Sequence, residues 1–167
     1  VTGHRVTVRE GVKAGKNLQI GTLTDIQGDC KIGDYVRLHS NIFISKLTKI
    51  GNFVWIFPHV VLTNDPTPPS SKLKGVTIED YVAIAAGSLI LPGVILREGT
   101  LVGAKSKVRK NTKAHTLVSG NPAVEKYPTS KVKLKYGSKK SAYPWTRHFH
   151  RGYPAEIIRE WKRKLKN

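Results

Sequence analysis

The chain has 167 residues, 39% hydrophobic and 24% charged, with one Cys and a formal net charge of +18. That length supports one domain with a real core, and a lone Cys excludes an internal disulfide and fits a reducing compartment. No run of eighteen apolar residues exists to span a membrane, and the opening VTGHRVTVRE lacks the apolar middle of a signal peptide, so a cytoplasmic location is expected. The missing initiator Met suggests that a few upstream residues are absent.

The charge is uneven. Residues 105–167 hold 18 Lys+Arg against 3 Asp+Glu, whereas residues 1–104 hold 11 against 8. So basic an end points to a phosphate-bearing partner: a nucleotide, a phosphate-rich cofactor or an anionic membrane. The bland alternative is a solvated basic tail. The basic residues follow no RNP, zinc-finger or helix-turn-helix pattern, so nucleic acid is not expected as a partner.

In chain order, the first signal is a metre. An apolar residue returns every sixth position at Val8, Ala14, Ile20, Ile26, Ile32, Leu38, Ile44, Ile50, Ile56 and Leu62. Two residues before most of these sits a small or β-branched residue, such as Thr24, Cys30, Val36, Thr48 and Val54. A six-residue period fits neither an amphipathic helix nor simple strand alternation; it is the period of a parallel β-helix in which each repeat is a short strand and a corner. Three repeats make one triangular coil of eighteen residues, so residues eighteen apart stack at about the 4.8 Å strand spacing. Tight corners account for Gly33, Gly51, Gly87, Gly93, Gly99 and Gly103. Cys30 occupies an inward position and reads as a core thiol.

The metre breaks at VLTNDPTPPSSKLKGV: the step from Leu62 to Ile78 is sixteen residues, six plus ten. It resumes through Ile84, Ile90, Leu96, Val102 and Val108, which predicts three coils before the break and about two after it. The ten extra residues predict a loop over residues 64–75 thrown out of a corner, where a repeat scaffold tolerates insertion and where function often resides.

After Asn121-Pro122 the metre ends. Residues 128–142 read as a basic connector without strong structure, followed by YPWTRHFHRGYP and AEIIREWKRKLKN. The last stretch predicts a helix with Pro154 in its first turn and Ile157, Ile158, Trp161 and Leu165 on one face. The domain reading is therefore a β-helix over 1–127 and a basic extension over 128–167. That extension either packs on the coils or a neighbour, or presents its aromatic and basic segment to an acceptor or a membrane surface.

The segments IAAGSLILPGVILREGTLVGAKSKV (84–108) and LVSGNPAVEKY (117–127), together with the metre, resemble the hexapeptide-repeat acyltransferases. The resemblance implies an all-β fold, a left-handed parallel β-helix with one ejected loop and here a short C-terminal α-helix. It also implies a homotrimer with acetyl-CoA as co-substrate. VRLHSNIFI followed by IGNFVWIFPHVVLTND is similar to enzymes that N-acetylate nucleotide-linked amino sugars, with Asn41 at their Asn and Thr63-Asn64 opening the loop. The related sugar O-acetyltransferases carry a His general base in that loop; here Asn64-Asp65-Pro66 stands instead.

Acetyl transfer from a thioester needs a deprotonated nucleophile, a donor to the oxyanion and positioning. A sugar hydroxyl demands a positioned base, whereas an amine needs only its neutral form, so the absent loop His tilts the reading toward an amine. His59, stacked eighteen residues above Asn41, is the candidate base, with Asn41 as orienter or oxyanion donor; alternatively both merely satisfy corner backbone. His39 is a second candidate base or a packing residue, and Asp65 either meets the amine or is a turn residue before Pro66. Thr63 and Asn64 are candidate substrate contacts. By the resemblance, backbone at Ala86, Gly87, Gly103 and Ala104 and the closing Pro122 take the cofactor, and Lys105, Lys107, Arg109 and Lys126 its phosphates. The β-helical carbonic anhydrases bind metal through closely spaced His, a spacing that His39, His59 and His115 lack, so no metal is expected. The expected function is an acetyl-CoA-dependent acetyltransferase acting on a nucleotide-linked amino sugar in surface-glycan assembly. O-acetylation of a sugar or glycan hydroxyl is the alternative, and a non-catalytic β-helix scaffold is the rival from another class.

Overall fold

A computed structural model describes residues 1–136 and 139–165 in two compact units, Val1–Tyr127 and Pro128–Asn167. The first is a three-faced parallel β-solenoid. Its first face stacks β1 (Thr7–Val8), β4 (Asp25–Ile26), β7 (Phe43–Ile44), β10 (Val61–Leu62), β13 (Leu89–Ile90) and β16 (Lys107–Val108). Its second face stacks β2 (Lys13–Ala14), β5 (Lys31–Ile32), β8 (Lys49–Ile50), β11 (Thr77–Ile78) and β14 (Ile95–Leu96). The third stacks β3 (Gln19–Ile20), β6 (Arg37–Leu38), β9 (Trp55–Ile56), β12 (Ala83–Ile84), β15 (Leu101–Val102), β17 (Thr116–Gly120) and β18 (Ala123–Pro128).

Register follows the metre. Thr7 pairs with Asp25 and Lys31 with Lys49, eighteen apart, whereas Trp55 pairs with Ala83, twenty-eight apart, because the loop adds ten. Each two-residue strand turns one side chain out and one in. The inward aliphatics from Ile20 to Val108 are all 7% exposed or less. Val8 and Ala14, on the first coil, follow the same metre yet are exposed.

The second inward position is often a hydroxyl, and each needs a partner in the dry interior. The corners supply one. Thr24 Oγ1 donates to the His39 carbonyl (2.9 Å), Thr48 Oγ1 to that of Ser45 (2.7 Å) and Ser106 Oγ to that of Gly103 (2.6 Å). Cys30 Sγ meets the Ser45 carbonyl at 3.3 Å, and burial pushes its thiol pKa up, so it is a core thiol.

The corner glycines serve two different ends. Gly87 has φ +71°, the left-handed conformation a corner requires. Gly33 does not: a Cβ there would lie 2.7 Å from the Gly51 backbone of the next coil, so close approach excludes a side chain. Most left-handed corner positions hold other residues, among them Leu23 (φ 61°), Asn41 (58°), His59 (61°) and Lys105 (54°). Stacked backbone bonds on both sides hold them there.

The second unit has its own small core. Trp145, Tyr153 and Trp161 pack ring against ring, with centroids 5.3 Å apart for Trp145–Trp161 and 4.8 Å for Tyr153–Trp161. All three are buried. The helix α1 spans Ala155–Lys164 behind Pro154; its buried residue is Trp161, with Ile157 and Ile158 half-buried. The connector read as lacking structure contains a 3-10 turn at Thr129–Lys131 and an antiparallel bridge between Lys133 and Ser141. Leu134 N donates to the Lys140 carbonyl and Ala142 N to that of Val132, pairings that no hydrophobic period announces; residues 137 and 138 of this connector lie outside the described residues. Among the described residues no helix is long and apolar enough to cross a membrane.

Candidate active site

The corner between the third and first faces forms one straight edge. Its left-handed column runs Arg5, Leu23, Asn41, His59, Gly87, Lys105, one residue per coil. Each N–H bonds the coil beneath: Asn41 N to the Thr22 carbonyl (2.9 Å), His59 N to Ser40 (3.3 Å), Gly87 N to Pro58 (2.9 Å) and Lys105 N to Ala86 (2.9 Å). The structure thereby lines up Asn41, His59, Ala86, Gly87, Ala104 and Lys105 on one edge. The amides of Gly87 and Lys105 are consumed by the ladder, as is Gly103 N, which donates to Val118. Those of Ala86 and Ala104, both exposed, take no part in it.

His39 sits where the third face enters this edge. Its ring stacks on Phe57 (centroids 4.7 Å, 15° between planes) beside Trp55 (6.0 Å). Burial first, and then the nearby Arg37, lower its pKa, so the imidazole stays neutral at physiological pH. Arg37 lies over the Trp55 ring at 4.7 Å. Sequence reasoning overlooked Arg37 and Trp55, although both occupy outward strand positions eighteen residues apart, one coil above the other.

The loop residues lie elsewhere. Thr63, Asn64 and Asp65 follow β10 at the corner between the first and second faces, whereas His59 precedes that same strand. Within one chain, β10 therefore separates them by the width of a face. Their polar atoms tie the loop down: Thr63 Oγ1 donates to the Ile90 carbonyl (2.9 Å) and Asn64 Nδ2 to that of Lys46 (3.1 Å). The Asp65 carboxylate accepts from Ser70 Oγ (2.6 Å), Ser70 N (3.1 Å) and Thr67 N (3.2 Å). These bonds, the Ser70 hydroxyl foremost, hold its pKa below the ordinary aspartate value, which makes it a weak base and a strong turn anchor.

The cationic candidates spread along the last coils. Lys105 stands on the edge, Lys107 faces outward from the first face on β16, Arg109 opens the next corner, and Lys126 is exposed on β18. A cavity of about 410 Å³ beside them is lined by Arg109, Lys110, Lys113, Pro122 and Val124 among others. Lys110 and Lys113 were not singled out from sequence, and the nearby Glu125 holds Lys113 at 3.1 Å.

No family model matches the chain. Over 103 residues it is 32% identical to the dTDP-4-amino-4,6-dideoxy-D-glucose acyltransferase of Escherichia coli, covering 58% of this chain and 49% of that protein. Over 120 residues it is 28% identical to the galactoside O-acetyltransferase of Lactococcus lactis, covering 67% and 53%. Among solved structures the fold matches PerB from Caulobacter crescentus in complex with CoA and GDP-perosamine, with TM-score 0.66, 22% identity and 72% and 54% coverage. It also matches a galactoside acetyltransferase in complex with coenzyme A, with TM-score 0.66, 20% identity and 78% and 72% coverage. The chain spans about half the length of these curated relatives. The six-residue metre, the three-faced parallel solenoid and these relatives fit the hexapeptide-repeat acyltransferases that the sequence resembles.

Proposed function

We propose that the protein is an acetyl-CoA-dependent acetyltransferase that N-acetylates a nucleotide-linked amino sugar for surface-glycan assembly. The observation that carries this reading is the single edge on which Asn41 and His59 continue directly into Ala86, Gly87, Ala104 and Lys105. The free N–H groups of Ala86 and Ala104 suit the amide carbonyls of a pantetheine arm laid along the edge. Gly87 leaves room for its passage, and Pro122 closes the far end. Lys105, Lys107, Arg109 and Lys126 are the phosphate partners. Relatives whose names specify amino-sugar acylation, and neighbours bound to CoA, support the choice of co-substrate and acceptor class.

In this reading the neutral sugar amine attacks the thioester carbonyl. A C–N bond forms, the C–S bond breaks, and the proton shed by nitrogen ends on the departing thiol. Asn41 donates to the oxyanion or orients the amine, and His59 relays the proton. Asp65 and Asn64, on the neighbouring corner, reach the acceptor only from another copy of the chain, which is the reason to propose a homotrimer with sites shared between copies. Thr63 backs the loop that carries them.

O-acetylation is the second reading, and the neutral His39 favours it, because an uncharged imidazole beside the edge is the base a hydroxyl acceptor requires. Release of CoA thiol from acetyl-CoA across nucleotide-linked amino sugars, plain sugars and oligosaccharides tests both. Turnover confined to amino sugars supports N-acetylation, with His59→Ala and Asn41→Ala each losing about 10²-fold or more in kcat. Turnover with hydroxyl acceptors alone transfers the base role to His39 or His59 on a glycan. Failure to bind acetyl-CoA in calorimetry returns the chain to a scaffold.

A further inference from the structure

The C-terminal unit carries charge of one sign over most of its length. From residue 128 to residue 155 there are seven Lys+Arg and no Asp or Glu. Its two acids, Glu156 and Glu160, both lie on α1, where Lys164 Nζ sits 2.7 Å from Glu160. Five of the cations, Lys131, Lys133, Lys135, Lys139 and Lys140, fall within ten residues, and all five are exposed. Among the described residues none of the five meets a carboxylate.

The backbone gathers four of them on one side. Lys133 bridges antiparallel to Ser141, flanked by the bonds from Leu134 N to Lys140 and from Ala142 N to Val132, so successive residues alternate between two faces. Val132, Leu134 and Ala142 are half-buried, and the exposed Lys131, Lys133 and Lys135 alternate with them. Continuing that register by one pair sets Lys139 opposite Lys135. Like charges opposed across strands destabilise the pairing, and a local rule broken without compensation inside the fold points to something outside it. The rings of YPWTRHFHRGYP do not share this surface: Trp145 and Tyr153 are buried, and Tyr143 and Phe149 half-buried. The open ring is Tyr136, 92% exposed and next to Lys135.

We infer that this lysine face docks the C-terminal unit on an anionic lipid bilayer, with Tyr136 entering the headgroup layer. A lysine cluster of this size is drawn to the negative potential of such a surface. Tyrosine is a side chain that settles at the membrane interface, its ring in the apolar layer and its hydroxyl in water. Single-stranded nucleic acid is disfavoured, because successive bases need successive rings and this segment offers one, with no arginine among its five cations. A soluble acidic polymer meets the lysines but supplies no hydrocarbon layer for the exposed ring. The bilayer accounts for both the charge and the tyrosine.

The test is co-sedimentation of the full chain with vesicles of phosphatidylcholine alone or of equal parts phosphatidylcholine and phosphatidylserine. The chain is expected to sediment with the mixed vesicles only, and less as salt rises. Each of Lys133→Gln, Lys135→Gln and Lys139→Gln is expected to weaken binding by about fivefold, the worth of one cation near an anionic surface, and the triple variant by about a hundredfold. All three side chains are exposed, so the near-ultraviolet dichroism of the Trp145 cluster is expected to stay as in the parent. Tyr136→Ala is expected to weaken binding further, and Tyr136→Trp to restore it. The inference is overturned if the mixed vesicles do not bind, if phosphatidylcholine alone binds equally, or if the triple lysine variant binds like the parent. A Tyr136→Ala chain that binds like the parent overturns the choice of a bilayer, as does release from the vesicles by an oligothymidylate or an oligogalacturonate at equal anion concentration. Release by coenzyme A would assign the lysines to the cofactor instead, and overturns the inference while leaving the proposed acetyl transfer intact.

Discussion

The solenoid and the C-terminal unit solve the same problem, burial of apolar surface, in opposite ways. The solenoid spreads it over a stack in which each inward Ile, Leu or Val meets equivalents one coil above and below. The C-terminal unit concentrates it in three rings, Trp145, Tyr153 and Trp161, with a short helix supplying one of them. A distributed core tolerates local loss and accepts an ejected loop; a concentrated one depends on single residues.

The sharpest way to break this contrast is Trp161→Ala. Removing a buried Trp costs about 3–5 kcal/mol, more than 40 residues with one aromatic cluster can spare. Near-ultraviolet dichroism of the rings is expected to collapse while the solenoid's thermal transition persists; a single lost transition for the whole chain would show that the two cores are not separate. In the middle of the solenoid, Ile56→Ala is expected to cost about 2–5 kcal/mol in denaturant unfolding, because Ile56 is fully buried between coils. The same truncation at Val8, 51% exposed, is expected to stay within about 0.5 kcal/mol, although the metre does not distinguish the two positions.

The corner glycines sharpen the comparison within the solenoid. Gly33→Ala forces a Cβ against the Gly51 backbone and is expected to cost about 1–3 kcal/mol. Gly87→Ala meets only Lys105 Cγ, at 3.4 Å, and loses only left-handed freedom, about 1 kcal/mol. Equal losses in the two variants would mean that conformation rather than contact governs both corners. The smallest effect belongs to the loop. Asp65 has its pKa depressed by the fold, so its contribution is present above the ordinary aspartate pKa and is lost as pH falls through the lower, folded value. Proteolytic nicking within residues 66–74 is therefore expected to accelerate on acidification, and Ser70→Ala is expected to show that acceleration already at neutral pH. A nicking rate indifferent to both would remove Asp65 as the anchor.

Much of the fold was legible because a side-chain period of six states which residue points inward and which residues stack. The eighteen-residue register, the ten-residue ejection and the stacking of Asn41 with His59 all follow from counting. The helix over Ala155–Lys164 was legible from Pro154 and the spacing of Ile157, Ile158 and Trp161. The pairing of Lys133 with Ser141 was not, since two backbone bonds and one bridge leave no trace in hydrophobic pattern. For the candidate site, counting placed residues in columns but did not say which columns share an edge. Asn64 and Asp65 follow His59 by only five and six residues, yet β10 carries them to a different corner.

By itself, then, the sequence determined the repeat, its register, the inward faces and the family resemblance, because these depend on local alternation repeated many times. Only the tertiary structure decided that Leu23, Asn41, His59 and Lys105 hold a left-handed corner without glycine, since stacked coils above and below supply the bonds that offset the strain. It also decided that the Asp65 carboxylate is occupied by Ser70 and Thr67, and that His39 is held neutral against Phe57, because both depend on which groups a fold brings within a few ångströms.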